Sequence, residues 1–151
     1  MDETQNQPDI VVYSADGQPR LLVEVKSRPD GVVDEAHPDW PMEIRRAHGH
    51  FDCYFLLVTP ERMLLFLPGD PANGARIYAA ESPAVLRQQL DTERHPLRQL
   101  DEQQLTSLVH WWLMFSQYET PDTLQQDPAQ RWLVESGLHA AILRGNVQEA
   151  A

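Results

Sequence analysis

Apolar and polar positions alternate along Pro8–Tyr13 and again along Arg20–Lys26, and the two runs flank Ala15-Asp16-Gly17-Gln18. Alternation with a period of two is the mark of a half-buried strand, and Asp-Gly between two such runs predicts a β-hairpin closed by a two-residue turn. With Asp16 and Gly17 as the central turn residues, Ala15 pairs with Gln18, Tyr13 with Arg20, Val11 with Leu22 and Asp9 with Glu24. One face then carries Ile10, Val12, Leu21, Val23 and Val25. The other carries Asp9, Val11, Tyr13, Arg20, Leu22, Glu24 and Lys26.

Downstream the pattern changes. Residues 27–38 are polar and carry Pro29, Gly31 and Pro38, which reads as a loop. Asp39 and Pro41 open a short helix over about 40–48. Cys53–Thr59 and Met63–Leu67 are continuous apolar runs of strand length, separated by Pro60-Glu61-Arg62. A Pro- and Gly-rich turn over 68–74 leads to a short edge strand at Arg76-Ile77-Tyr78. From Ser82 onward the spacing is helical. Ser82-Pro83 begins a helix over 83–91, and Asp101 with Gln104 forms a capping box for a helix over 101–118. A last helix runs from Asp127 to Gly145. Apolar residues nearly encircle the 101–118 helix, Trp111 and Trp112 among them, so it is expected to be buried or to form an interface.

Strands followed by helices give a single α/β domain over 1–151, with a mixed-sheet core over 8–80 and packed helices over 82–145. The length supports one hydrophobic core. The chain has one cysteine, Cys53, which fits a reducing compartment. Its polar, acidic first residues are unlike a signal peptide, and no apolar run reaches membrane-spanning length, so a cytoplasmic location without membrane contact is expected. The net charge of -11 weighs against tight nucleic-acid binding by the isolated chain, which depends on Lys and Arg meeting phosphates. The one basic cluster is Arg45-Arg46.

The polar face of the hairpin holds the chemistry. Asp9 and Glu24 opposite each other place like charges about 5 Å apart at Cβ, which destabilises a sheet unless something offsets it. A hard divalent cation such as Mg²⁺ or Mn²⁺ between the carboxylates would do so. Lys26 is on the same face, two residues beyond Glu24, and is the only lysine of the chain; the other basic residues are arginines. Two carboxylates and a lysine around one point suit metal-assisted hydrolysis, with the Val25 carbonyl as a candidate third ligand. The competing reading is the ordinary polar side of a half-exposed strand. His48-Gly49-His50 reads as a helix end, His110 as a hydrogen-bonded core or interface residue, and Arg45 and Arg46 as a solvated helix face.

Pro8-Asp9 followed by Glu24-Val25-Lys26 resembles the PD-(D/E)xK nuclease superfamily, over residues 8–68. The resemblance implies a restriction-endonuclease-like fold. It implies that Asp9 and Glu24 hold Mg²⁺ and that Lys26 assists the attacking water. The function expected is a metal-dependent phosphodiesterase acting on nucleic acid. The alternative is a catalytically inactive scaffold of the same fold, acting as a homo-oligomer or through a protein partner. The family has a helix before its first strands, sometimes bringing a further acid, and seven residues precede Pro8 here. A C-terminal helix or a second subunit is expected to cover that surface.

Overall fold

The computed structural model describes residues 7–27, 44–45, 52–69 and 77–150. Most of the expected loop over 27–38, most of the 40–48 helix, Arg46, the His48-Gly49-His50 motif and most of the 68–74 turn lie outside the described residues. Among the described residues, six strands form one mixed sheet: β1 (Ile10–Tyr13), β2 (Pro19–Val25), β3 (Tyr54–Val58), β4 (Arg62–Phe66), β5 (Ile77–Glu81) and β6 (Asn146–Glu149). Their spatial order is β5-β4-β3-β2-β1-β6. Only β2 and β3 run parallel; the other neighbours are antiparallel. A parallel pair needs a crossover connection, and Ile44 and Arg45, between β2 and β3 in sequence, are helical.

The hairpin forms, but its turn differs from the expected one. Gly17 takes a left-handed φ of 87°, Gly17 N donates to Ser14 O at 2.9 Å, and Ser14 N donates to Gln18 O at 2.7 Å. The loop is therefore Ala15-Asp16-Gly17, and Tyr13 faces Pro19 rather than Arg20. A register shift between Val12 and Tyr13 absorbs the extra residue. Beyond it Val12 faces Leu21, Val11 faces Leu22 and Ile10 faces Val23, as counted from the sequence. The two irregularities cancel, so Asp9 and Glu24 still lie at the same level of the hairpin.

Ile10, Val12, Leu21, Val23 and Val25 are fully buried, as the alternation requires. The C-terminal helices cover that face. They are α1 (Ser82–Val85), a 3₁₀ turn at Leu97–Gln99, α2 (Glu102–Ser116), α3 (Pro121–Gln126), α4 (Arg131–Glu135) and α5 (Leu138–Ile142). Leu105, Val109, Trp112, Leu133, Leu138 and Ile142 supply the opposing side of this core. A smaller cluster on the other face joins Leu22, Cys53, Phe55, Leu57 and Phe66, with Ile44 packed against it. Ile44 thus packs on the face opposite the one that α1–α5 fill. Arg45 is not on a solvated helix face: it is buried, lies 5.2 Å from the Phe55 ring centroid and donates to Cys53 O at 3.4 Å.

The helical portion departs from the sequence reading in three places. Ser82 is not an N-cap; it is buried and its hydroxyl donates to Thr59 O at 2.7 Å, while Glu81 precedes the helix without a side-chain cap. The expected 127–145 helix is broken into α4 and α5 at Gly137, whose φ is 84° and whose neighbour Ser136 accepts the Tyr54 hydroxyl at 2.8 Å. Residues 146–149 add β6, pairing antiparallel with β1. The capping box on α2 is present, with Asp101 Oδ1 accepting from Gln104 N at 2.7 Å and Gln104 Oε1 accepting from Asp101 N at 2.9 Å. Among the described residues, no helix is long and apolar enough to cross a membrane.

Candidate functional site

Asp9 is the last residue before β1, and backbone bonds on both sides hold it. Its N–H donates to Val23 O at 2.8 Å, and its carbonyl accepts from Ala150 N at 2.9 Å, just beyond β6. Its side chain turns toward β2, where Oδ2 accepts from Val25 N at 2.7 Å. Glu24 sits one position earlier on β2, next to Leu57 of β3, and is buried. Lys26 follows β2; its N–H donates to Val58 O at 2.8 Å, and its ammonium meets Glu24 Oε1 at 2.9 Å. The structure therefore brings Asp9, Glu24 and Lys26 together at one end of the β1–β2–β3 ladder. It gives the Val25 N–H, rather than its carbonyl, a defined role there.

Electrostatics tie the group together. Burial pushes the Asp9 carboxyl up, and the charges of Glu24 and Glu102 add to this. The Val25 N–H and Lys26 pull it down without prevailing, so it titrates at about 6 instead of 3.8. Burial pulls Lys26 down, but its hydrogen bond and charge contact with Glu24 outweigh this, helped by Glu102 and Asp9, and the net direction is up. Lys26 is consequently an ammonium at neutral pH.

Glu102 is a site neighbour that the sequence reading did not single out. It is the first residue of α2, where its acidity also suits the helix N-terminus. That local explanation hides it in the sequence; only the packing of α2 on the sheet brings it within electrostatic reach of Asp9 and Lys26.

The raised Asp9 carboxyl has a testable consequence. Between pH 4 and 6 the folded chain holds a proton that the unfolded chain releases, so stability falls as pH rises through that window. Allowing for the partial exposure of Asp9, the loss is about 1–2 kcal/mol. Asp9→Asn keeps an oxygen for the Val25 N–H and removes the charge. Urea titrations at several pH values should show the variant gaining on the wild type from pH 4 to 7. A constant difference across that range would refute the assignment.

Two carboxylates and a backbone carbonyl are hard oxygen donors of the type Mg²⁺ takes, and Mg²⁺ commonly uses one or two carboxylates while keeping several waters. Among the described residues, no three His, Cys, Asp or Glu side chains group closely enough to hold a metal by themselves. The donor set fits an open site completed by water and substrate oxygens, not a closed cage.

His110 Nδ1 lies 2.5 Å from Glu149 Oε2, a contact that ties α2 to β6 as expected of a hydrogen-bonded histidine. Trp112 is buried, with its indole N–H donating to Gln130 Oε1 at 2.9 Å, whereas Trp111 is exposed. No protein-family model, curated protein or solved structure matches this chain.

Proposed function

We propose that this chain is a divalent-metal-dependent phosphodiesterase of PD-(D/E)xK type, acting on nucleic acid from a restriction-endonuclease-like core. The observation that carries the reading is the convergence of the Asp9 carboxyl, held by the Val25 N–H at 2.7 Å, with the Glu24–Lys26 pair at one end of the β1–β2–β3 ladder; burial, Glu24 and Glu102 raise that carboxyl to about 6. Such a carboxyl is destabilised at neutral pH until a cation meets it. The parallel β2–β3 pair and the antiparallel β1–β2 hairpin support the fold assignment. So does α2, which covers the sheet and brings Glu102 to the site, as the first helix of the family sometimes brings an acid.

In this reading Asp9 and Glu24 hold Mg²⁺ or Mn²⁺, with the Val25 carbonyl as third ligand. Bound there, the ion supplies Lewis acidity toward water and a phosphate oxygen. The Val25 N–H fixes the Asp9 carboxylate, and Glu24 anchors Lys26 within reach of the same point. Lys26 orients the attacking water and offsets charge on the phosphate. With its proton held tightly, it is a donor and not the base. The charge of -11 means that a partner or second subunit must assist in gripping a nucleic acid.

Calorimetric titration of Mn²⁺ into the wild type and Asp9→Asn tests the proposal. Saturable binding, lost in the variant and weakening below pH 6, is expected. A folded wild type that binds no Mn²⁺ sinks the enzyme reading. It would favour the second one, an inactive scaffold of the same fold that works through partners, for which the exposed aromatic residues of α2 speak.

A further inference from the structure

Trp111, Met114, Phe115 and Tyr118 stand at i, i+3, i+4 and i+7 along α2 and the turn that follows it. They are 48%, 49%, 55% and 65% exposed. The buried side of α2 lies elsewhere, on Leu105, Leu108, Val109, Trp112 and Leu113. The exposed stripe is thus additional to what the core uses. The Trp111 and Phe115 rings already contact each other at 6.0 Å between centroids. Beyond Trp111 the stripe continues into an open cleft lined by Leu90, Leu100, Asp101, Gln103, Gln104 and Ser107.

We infer that this stripe is a homodimer interface, in which α2 of one copy packs antiparallel against α2 of a second across a two-fold axis. Three observations favour a second copy as the occupant. First, the four residues are symmetric about a point between Met114 and Phe115. Under a two-fold axis there, Trp111 meets the other copy's Tyr118 and Met114 meets its Phe115. An isologous contact demands this self-complementarity. Second, in a chain of net charge -11, residues 103–118 carry no Asp, Glu, Lys or Arg. Two copies can approach along this stripe without like charges opposing within it, while a nucleic-acid backbone finds no Lys or Arg on it. Third, the four side chains expose on the order of 400 Å² per copy. Pairing them removes roughly 800 Å² from water, and the flanking cleft brings the total to about 1,000 Å², the lower bound for a specific interface.

Sedimentation velocity from 1 to 100 μM tests this on the full chain. The expected species has twice the 17.3 kDa chain mass. Phe115→Glu is expected to yield a monomer with unchanged circular dichroism, since that side chain is half in solvent. Trp111→Lys and Tyr118→Glu alone should each weaken the dimer at least tenfold, and the double variant should restore it, because the two positions face each other across the axis. A wild type that stays monomeric at 100 μM overturns the inference. So does a dimer that Phe115→Glu leaves intact. Quenching of Trp111 by single-stranded oligonucleotide in a monomeric wild type would also overturn it, assigning the face to base stacking.

Discussion

Under the proposed phosphodiesterase reading, replacing Lys26 with glutamine will lower metal-dependent cleavage of DNA or RNA by at least about 10²-fold while leaving the chain folded. The magnitude is that of removing one well-placed donor from a charged transition state. Glutamine is the informative substitution because Lys26 also has a structural duty. Its ammonium lies 2.9 Å from Glu24 Oε1, and the Glu24 side chain is only 10% exposed. Alanine would withdraw that contact from a buried carboxylate, and lost stability would be confused with lost chemistry. Glutamine keeps an N–H donor, on a side chain one bond shorter, and removes the charge. Cleavage of single- and double-stranded substrates in Mn²⁺, alongside thermal unfolding, separates the two roles. Wild-type cleavage by a folded Lys26→Gln chain would eliminate the lysine from the mechanism. Because the Lys26 pKa is displaced upward, activity is not expected to fall as a lysine loses its proton near neutrality.

Gly145→Ala will destabilise the chain by about 3 kcal/mol or more, lowering Tm by roughly 6–12 °C. A Cβ at Gly145 would lie 1.9 Å from the Tyr13 carbonyl oxygen, with the Ile142 oxygen at 3.0 Å. Both atoms are backbone, so no side chain can turn aside, and β6 must move away from β1. Gly17→Ala is the control. Its Cβ would meet nothing within 4 Å, and only the φ of 87° is strained, at about 1–2 kcal/mol. Calorimetric melting of both variants checks the ranking. Equal, small effects would show that Gly145 does not sit against Tyr13. Since Ala150 N bonds to Asp9 O beside the same strand pair, Gly145→Ala should also weaken the proposed Mn²⁺ binding, at a distance from the carboxylates.

The arrangement of Asp9, Glu24 and Lys26 was legible because two alternating runs around Asp-Gly define a hairpin and its faces. The turn length was not, since Asp-Gly serves two- and three-residue loops alike. The pairing at Ile10–Val23 survived only because the shift between Val12 and Tyr13 compensates. β6 was not legible: Asn146-Val147-Gln148-Glu149 has one apolar residue, and it becomes a strand through its partner β1. The break at Gly137 escaped for a similar reason. Glycine inside a helical pattern does not reveal that Tyr54 will bond to Ser136 beside it. Trp111 and Trp112 could not be told apart in a helix apolar on nearly all sides; the positions of Gln130 and Trp132 decide which one is buried.

Because β1 lies between β2 and β6, the strand next to Asp9 pairs with residues from opposite ends of the described chain. Such topology has a kinetic cost: bringing distant segments together delays folding even when the product is stable. During synthesis, residues 146–149 emerge roughly ten seconds or more after β1, at ordinary elongation rates. Throughout that interval the β1 edge presents unpaired backbone groups to any neighbouring strand. A growing chain in which β1 and β2 have already paired would carry an open sheet edge beside Asp9 until β6 docks.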